Sequence, residues 1–325
     1  MTPTHNPPLL DVQDLHVNYL TTRGPVRAVN GVSFQVNPGE VFGLAGESGS
    51  GKSTIAHAIL RILHPPALIT GGSVRFEGRD TLTMSEKELE DFRWKSISIV
   101  FQSAMNALDP VMRISDQLTD VMQHHGMRRA EARERARSLF DLVGIEACRL
   151  DGYPHQLSGG MRQRAVIAIA LALNPALLIM DEPTTALDVV VQKDILQQIA
   201  SLKEKLGFSI LFITHDLSLL VEFSTSIAIM YAGQIVENAP ARELFEHPLN
   251  PYTVGLMNSF PSITGEKRHL TGIPGAPPDL VSPPSGCPFH PRCAHAMPQC
   301  SLQLPSLTHP SPEHEVACFL YNEAL

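Results

Sequence analysis

Residues 46–54 read GESGSGKST, a glycine-rich turn that ends on a lysine and two hydroxyl side chains. Gly46, Gly51, Lys52 and Ser53 satisfy the spacing G-x-x-x-x-G-K-[ST]. Glycines let a backbone curl so that successive N–H groups, here those of Ser48, Gly49, Ser50 and Thr54 among them, point inward at phosphate oxygens. Lys52 has the reach for β- and γ-phosphates, and the Ser53 hydroxyl is a Mg²⁺ ligand in this motif. A second acidic site, Asp181-Glu182, closes the apolar run Leu177 to Met180. A carboxylate at the C-terminal end of a parallel strand is where Mg²⁺ is held, so Asp181 is its candidate partner, through water. Glu182 is the candidate general base that orients an attacking water. The chemistry is binding and hydrolysis of a nucleoside triphosphate.

Each site needs a strand and a helix to position it. The run VFGLA, Val41 to Ala45, predicts a buried strand before the glycine turn, and Ile55 to Leu63 predicts the helix after it. That helix start adds its partial positive charge to the phosphate site. LSGGMRQR, Leu157 to Arg164, repeats the theme: Ser158, Gly159 and Gly160 stand before an apolar helix predicted from Met161 to Leu173. They form a second helix N-terminus with N–H donors to spare. Ala130 to Val143 is a further helical pattern, stopped by Gly144. Strand and helix alternation of this kind predicts an α/β fold.

The 325 residues are enough to bury a full core and an appendage. A net charge of −8 gives no electrostatic footprint for nucleic acid. The N-terminus MTPTHNPPLLDVQDLHV lacks the basic start and apolar block of a signal peptide. The most apolar run, Ala165 to Met180, is broken by Asn174-Pro175 and is too short to span a bilayer. A cytosolic chain, serving a membrane only through a partner, is expected.

The ordered set of motifs resembles the nucleotide-binding subunits of ABC transporters. Besides the phosphate loop and Asp181-Glu182, it comprises a glutamine loop at Gln102, the signature LSGGM, a D-loop at Ala186-Leu187-Asp188, and a switch histidine, His215. Tyr19 precedes the phosphate loop where this family stacks a ring on adenine. The resemblance implies a P-loop ATPase with a RecA-like core, an antiparallel β subdomain and a helical subdomain at about residues 103–171. It implies a head-to-tail dimer in which each ATP lies between one subunit's phosphate loop and the other's Ser158, Gly159 and Gly160. By the same resemblance His215 meets the γ-phosphate, Asp188 sits at the seam, and Gln102 senses Mg²⁺ and water. The implied partners are a second ATPase subunit, two transmembrane permease subunits and an extracytoplasmic solute-binding protein, which put the chain on the cytoplasmic face of the membrane. Met105, Leu108, Val111, Met112 and Ile114 follow Gln102, where the permease's coupling helices dock, and about half of them are expected to be core. Met161 replaces a commoner Gln without removing the N–H donors. Soluble relatives that act on DNA or the ribosome carry a coiled-coil insertion or a second cassette, and neither is present.

Past Pro248 the composition turns proline-rich, which predicts an irregular extension over 251–325 behind an ATP-binding domain at 1–250. His247-Pro248, Pro251-Tyr252-Thr253, Pro274 to Pro278 and Cys287-Pro288-Phe289 with Arg292-Cys293 resemble the oligopeptide/dipeptide importer branch, which implies peptide uptake. Oligosaccharide or nickel-chelate import is the alternative within that branch. Cys287, Cys293, Cys300 and Cys318 follow C-x₅-C-x₆-C-x₁₇-C. Disulfides do not suit a cytosolic chain. Zn²⁺, with His290 or His295 replacing a thiolate, and a [4Fe–4S] cluster both remain open. The resemblance leans to the cluster. Cys148, apart from the rest, reads as a small buried hydrophobe.

Overall fold

A computed structural model describes residues 7–102, 107–183, 188–259 and 272–321. The chain divides into two compact units, one drawn from Met1–Gln35, Val41–Leu82 and Ile213–Leu325, the other from Val36–Glu40 and Thr83–Phe212.

In the first unit, β1 (Leu10–Thr21), β2 (Gly24–Val36), β4 (Ala67–Phe76) and β5 (Arg79–Asp80) form a sheet in the order β2-β1-β4-β5. β1 runs antiparallel to β4, from Leu10 opposite Phe76 to Tyr19 opposite Ala67. A register shift between Gln13 and His16 leaves Gln13 and Asp14 both exposed. It also returns Leu15 and Val17 to the buried face that Leu10 and Val12 began, as a bulge does. A second sheet centres on β3 (Val41–Ala45) and β9 (Ser226–Tyr231), parallel, with Phe42 opposite Ser226 and Ala45 opposite Ile229. Every β3 residue is buried, which is why VFGLA shows no alternation. Antiparallel β10 (Gln234–Pro240), β12 (His314–Val316) and β11 (Thr308–Ser311) extend it outward. The unit's helices are α1 (Lys52–Ile59), α7 (Leu217–Phe223), α8 (Ala241–Glu246) and α9 (Pro251–Asn258).

The second unit holds β6 (Ile97–Val100) parallel to β7 (Leu177–Asp181), in register from Ile97 opposite Leu177 to Val100 opposite Met180. β8 (Ser209–Ile213) is the other neighbour of β7. Helices α2 (Glu86–Lys95), α3 (Ile114–His124), α4 (Arg129–Leu142), α5 (Gly159–Ala170) and α6 (Val189–Leu206) complete it. α4 buries Ala132, Ala136, Leu139 and Phe140, one stripe at helical spacing, and Gly144 follows at φ 65°.

Several expectations need correction. α1 starts at Lys52 and stops at Ile59, because Arg61 adopts a left-handed φ of 50° just past its C-cap, Leu60. α5 begins at Gly159, two residues before the predicted start, because the Ser158 side chain caps it there. Cys148 is exposed, on a short 3₁₀ turn (Ala147–Asp151), with its Sγ 3.6 Å from the Glu146 carboxylate. The C-terminal region is less irregular than its prolines suggest, since β12 pairs with β10 through Glu237 opposite Val316.

Candidate nucleotide site and cysteine pocket

The phosphate loop runs from the end of β3 into α1. Gly46 (φ 149°) and Gly51 (φ 105°) lie in backbone regions that side chains avoid. A Cβ at Gly46 would stand 2.2 Å from the Met230 carbonyl oxygen, and one at Gly51 2.1 Å from that of Ala28. Both glycines are therefore dictated by close backbone approach as well as by φ. Lys52 is buried, and its Nζ donates to the carbonyls of Gly46 (2.8 Å) and Glu47 (2.9 Å). These bonds hold the ammonium against the loop that it is meant to serve. Ser50 is buried beside it, Ser48 and Gly49 are exposed, and Ser53 is half-buried. The half-buried Tyr19 on β1 lies with its hydroxyl 3.3 Å from that of Thr54 on α1. His215 is exposed just past β8, where the Thr214 N–H donates to the Leu44 carbonyl. Asp216 then caps α7 by accepting from the N–H groups of Ser218 and Leu219.

The second unit carries the acidic pair. Asp181 is buried as the last residue of β7, and Glu182 turns out of the strand at φ 45°. A left-handed glutamate costs about 1–3 kcal/mol of backbone strain and re-aims the carboxylate. That carboxylate accepts from the Gln102 amide at 2.9 Å. Ser158 caps α5 by accepting from the Met161 N–H, and Asp188 caps α6 by accepting from the Val191 N–H. A Cβ on Gly160 would stand 3.0 Å from Val191, so the start of α5 meets α6 without room for a side chain. Ala186, Leu187 and Met105 lie outside the described residues. Of the other residues placed at the permease contact, Leu108 and Ile114 are buried while Val111 and Met112 are exposed.

Cys287, Cys293, Cys300 and Cys318 line one small cavity of about 20 Å³, together with His290 and His295. The Cys287 N–H donates to the Cys300 carbonyl at 2.8 Å, which ties the two loops together. Burial, with the neighbouring thiols adding to it, raises Cys287 and Cys293 and pushes Cys318 up to about 11. Such thiols give up their protons to a cation, not to water at neutral pH. Among the described residues no three His, Cys, Asp or Glu side chains already stand at metal-ligating spacing. Thiols and imidazoles are the donor types that soft metals take, but among the described residues their spacing is not that of a ligand set.

A strand, a glycine loop closing on a lysine and helix start, and a buried strand ending in Asp-Glu define a P-loop nucleotide-binding protein. The family profile described as ABC transporter matches residues 29–185, and that of the oligopeptide/dipeptide transporter C-terminal region matches residues 236–300. The chain is 45% identical to the oligopeptide transport ATP-binding protein OppD of Bacillus subtilis, over 96% of this chain and 88% of that one. It is 42% identical to the dipeptide transport ATP-binding protein DppD of Caldanaerobacter subterraneus, over 97% and 98%. Among solved structures, the dimer of MJ0796, a bacterial ABC transporter cassette, aligns with a TM-score of 0.64 at 28% identity, covering 72% of this chain and 99% of that one. A structure of the same cassette after hydrolysis, with ADP and Pi bound, aligns equally well. The chain belongs to the ATP-binding subunits of ABC transporters, in the oligopeptide/dipeptide group. Among the described residues no helix is long and apolar enough to cross a membrane.

Sequence reasoning gave no role to Glu47, Tyr231, Tyr252 and Arg292, which meet around the phosphate loop. The Glu47 N–H donates to the Tyr252 hydroxyl at 2.9 Å, and Arg292 grips the Glu47 carboxylate with two nitrogens at 2.8 and 2.9 Å. Glu47 was visible as the one charged side chain between Gly46 and Lys52. Nothing in the spacing pairs it with an arginine 245 residues away.

Proposed function

We propose that the chain powers uptake of peptides through a membrane permease by binding and hydrolysing MgATP in a closing dimer. The observation that carries the peptide reading is similarity along nearly the whole chain, C-terminal region included, to proteins named for oligopeptide and dipeptide transport. Lys52 and the loop amides hold the phosphates, Tyr19 stacks on the base, and Ser53, Asp181 and Gln102 hold Mg²⁺ directly or through water. Glu182 takes a proton from the attacking water while Gln102 fixes its carboxylate. His215 contacts the γ-phosphate. Ser158, Gly159 and Gly160 face the ATP of the partner subunit, with Asp188 at the seam. Val189 and Val190, both exposed beside Asp188, suit that role. Exposed Val111 and Met112 suit contact with one of two permease subunits, which keep the chain at the cytoplasmic face while a solute-binding protein delivers cargo outside. Residues 1–250 form the ATP-binding domain, with its helical part at about 103–171, and 251–325 the extension.

Within that extension Cys287, Cys293, Cys300 and Cys318 hold a [4Fe–4S] cluster, with Zn²⁺ the other occupant their chemistry accepts. When bound, either ion set would cross-link the loops. The four thiols contribute by surrendering protons and by binding.

Deleting the gene and measuring uptake of labelled dipeptides, oligosaccharides and nickel chelates tests the cargo. Loss confined to peptides is expected, and loss confined to another solute would overturn the assignment.

A further inference from the structure

Arg292 lies between Cys287 and Cys293, yet its guanidinium serves the phosphate loop. Nη1 and Nη2 donate to the two Glu47 oxygens, Nη1 also donates to the Tyr231 hydroxyl at 3.2 Å, and Nε donates to the Pro274 carbonyl at 2.8 Å. The side chains of Arg292 and Glu47 are 6% and 24% exposed. Phe289 packs edge-on against Tyr231 and Tyr252, with ring centroids 5.3 Å away in both cases. Glu47 is thereby held at its N–H by Tyr252, at its carbonyl by Lys52 and at its carboxylate by Arg292.

A carboxylate inside a loop built to receive a triphosphate is a liability. Like charges held close together repel, and more strongly where water is partly excluded. A bidentate guanidinium cancels the charge and fixes the direction in which the carboxylate points. We propose that Arg292 is a positioning residue of the ATP site: it neutralises and holds Glu47, so that ATP affinity depends on the C-terminal segment that carries the cysteines. The proposal rests on the reading of residues 46–54 as the ATP phosphate loop.

Affinity is read on the full chain with methylanthraniloyl-ATP, alongside KM and kcat for ATP. Arg292→Ala is expected to raise Kd and KM about ten-fold, the scale of one lost charge-assisted pair, with kcat at saturation within about two-fold. Adding Glu47→Gln to Arg292→Ala is expected to recover most of that loss, because the uncompensated charge goes with it. A merely structural Arg292 would lower kcat and the urea midpoint together with affinity, which the KM-against-kcat comparison separates from a role in positioning Glu47. Arg292→Lys is expected to fall between, since an ammonium cannot make the fork. It also keeps the test open should the alanine variant fold poorly. Unchanged Kd in both single variants, or no rescue by Glu47→Gln, would overturn the proposal. Lys52→Ala separates the two readings: if it binds the probe as well as the parent, the phosphate-loop reading itself fails.

Discussion

The Gln102 amide donates to the Glu182 carboxylate over 2.9 Å, although eighty residues separate them in sequence. Parallel pairing explains the meeting. Val100 on β6 lies opposite Met180 on β7, and each of the two residues stands two positions past its strand's half of that pair. Both side chains therefore emerge at the C-terminal end of the same parallel pair, where α/β proteins gather their chemistry. In the proposed mechanism Gln102 fixes the carboxylate and leaves the proton-accepting role to Glu182. Glu182→Gln keeps the size and the hydrogen bond but removes the base. Hydrolysis should fall by about 10²- to 10⁴-fold while methylanthraniloyl-ATP still binds. Turnover at the parent rate would remove Glu182 from the mechanism.

Gly51 offers a prediction of a different kind, since it concerns shape alone. Its φ of 105° and the Ala28 carbonyl 2.1 Å from a would-be Cβ leave no room for alanine. Gly51→Ala should displace the loop and abolish nucleotide binding in a chain whose far-ultraviolet circular dichroism is unchanged. Gly39, with nothing near a would-be Cβ, is the control: there alanine meets only its own φ of 72° and ATP binding should persist. Equal binding by the Gly51 variant and the parent would mean that the loop tolerates a wider turn.

These contrasts mark what the sequence could reveal. Local patterns carried the phosphate loop, the Asp181 strand end and helix α4, because each depends on residues within one or two turns of chain. Helix ends were less legible. Arg61 stops α1 by a backbone conformation that its residue type does not announce. Cys148 was misjudged because a lone thiol has no periodic partner to reveal which side of its turn faces water. The grip of Arg292 on Glu47 could not be read at all, since pairing over 245 residues is set by how the β3–α1 loop and the C-terminal segment come together. Strand β12, between β11 and β10, is illegible for a different reason: three residues are too short to show alternation.

Cys300 is the most buried of the four clustered cysteines. It also accepts from the Met297 N–H and fixes the Cys287 loop through its own carbonyl. Cys300→Ser removes a thiolate that a four-thiolate centre cannot replace. Anaerobically purified parent protein should contain about four irons with matching sulfide and a broad band near ~400 nm, and the serine variant should lose both. One zinc per chain and no colour would give the site to Zn²⁺. Equal metal content in parent and variant would take Cys300 out of the ligand set.

His314 and Glu237 provide the test of how β12 is held. Their side chains are 2% and 0% exposed, and His314 Nε2 lies 2.7 Å from the Glu237 carboxylate. The same carboxylate accepts from the N–H groups of Leu249 and Asn250. One buried glutamate thus ties β10, β12 and the entry to α9 together. Truncating His314 removes one buried hydrogen bond and leaves the imidazole's volume empty, while Glu237 keeps its two backbone donors, a loss of about 1–3 kcal/mol. His314→Ala should therefore lower the urea midpoint substantially, whereas Arg242→Ala, which breaks an exposed i,i+4 pair with Glu246 on α8, should shift it by under about 0.5 kcal/mol. Because β12 belongs to the segment that also carries Cys318, the His314 variant should show faster amide exchange at Ala317, whose N–H donates to the Val236 carbonyl on β10. Midpoints that move equally in the two variants would show that the buried pair contributes no more than a surface one.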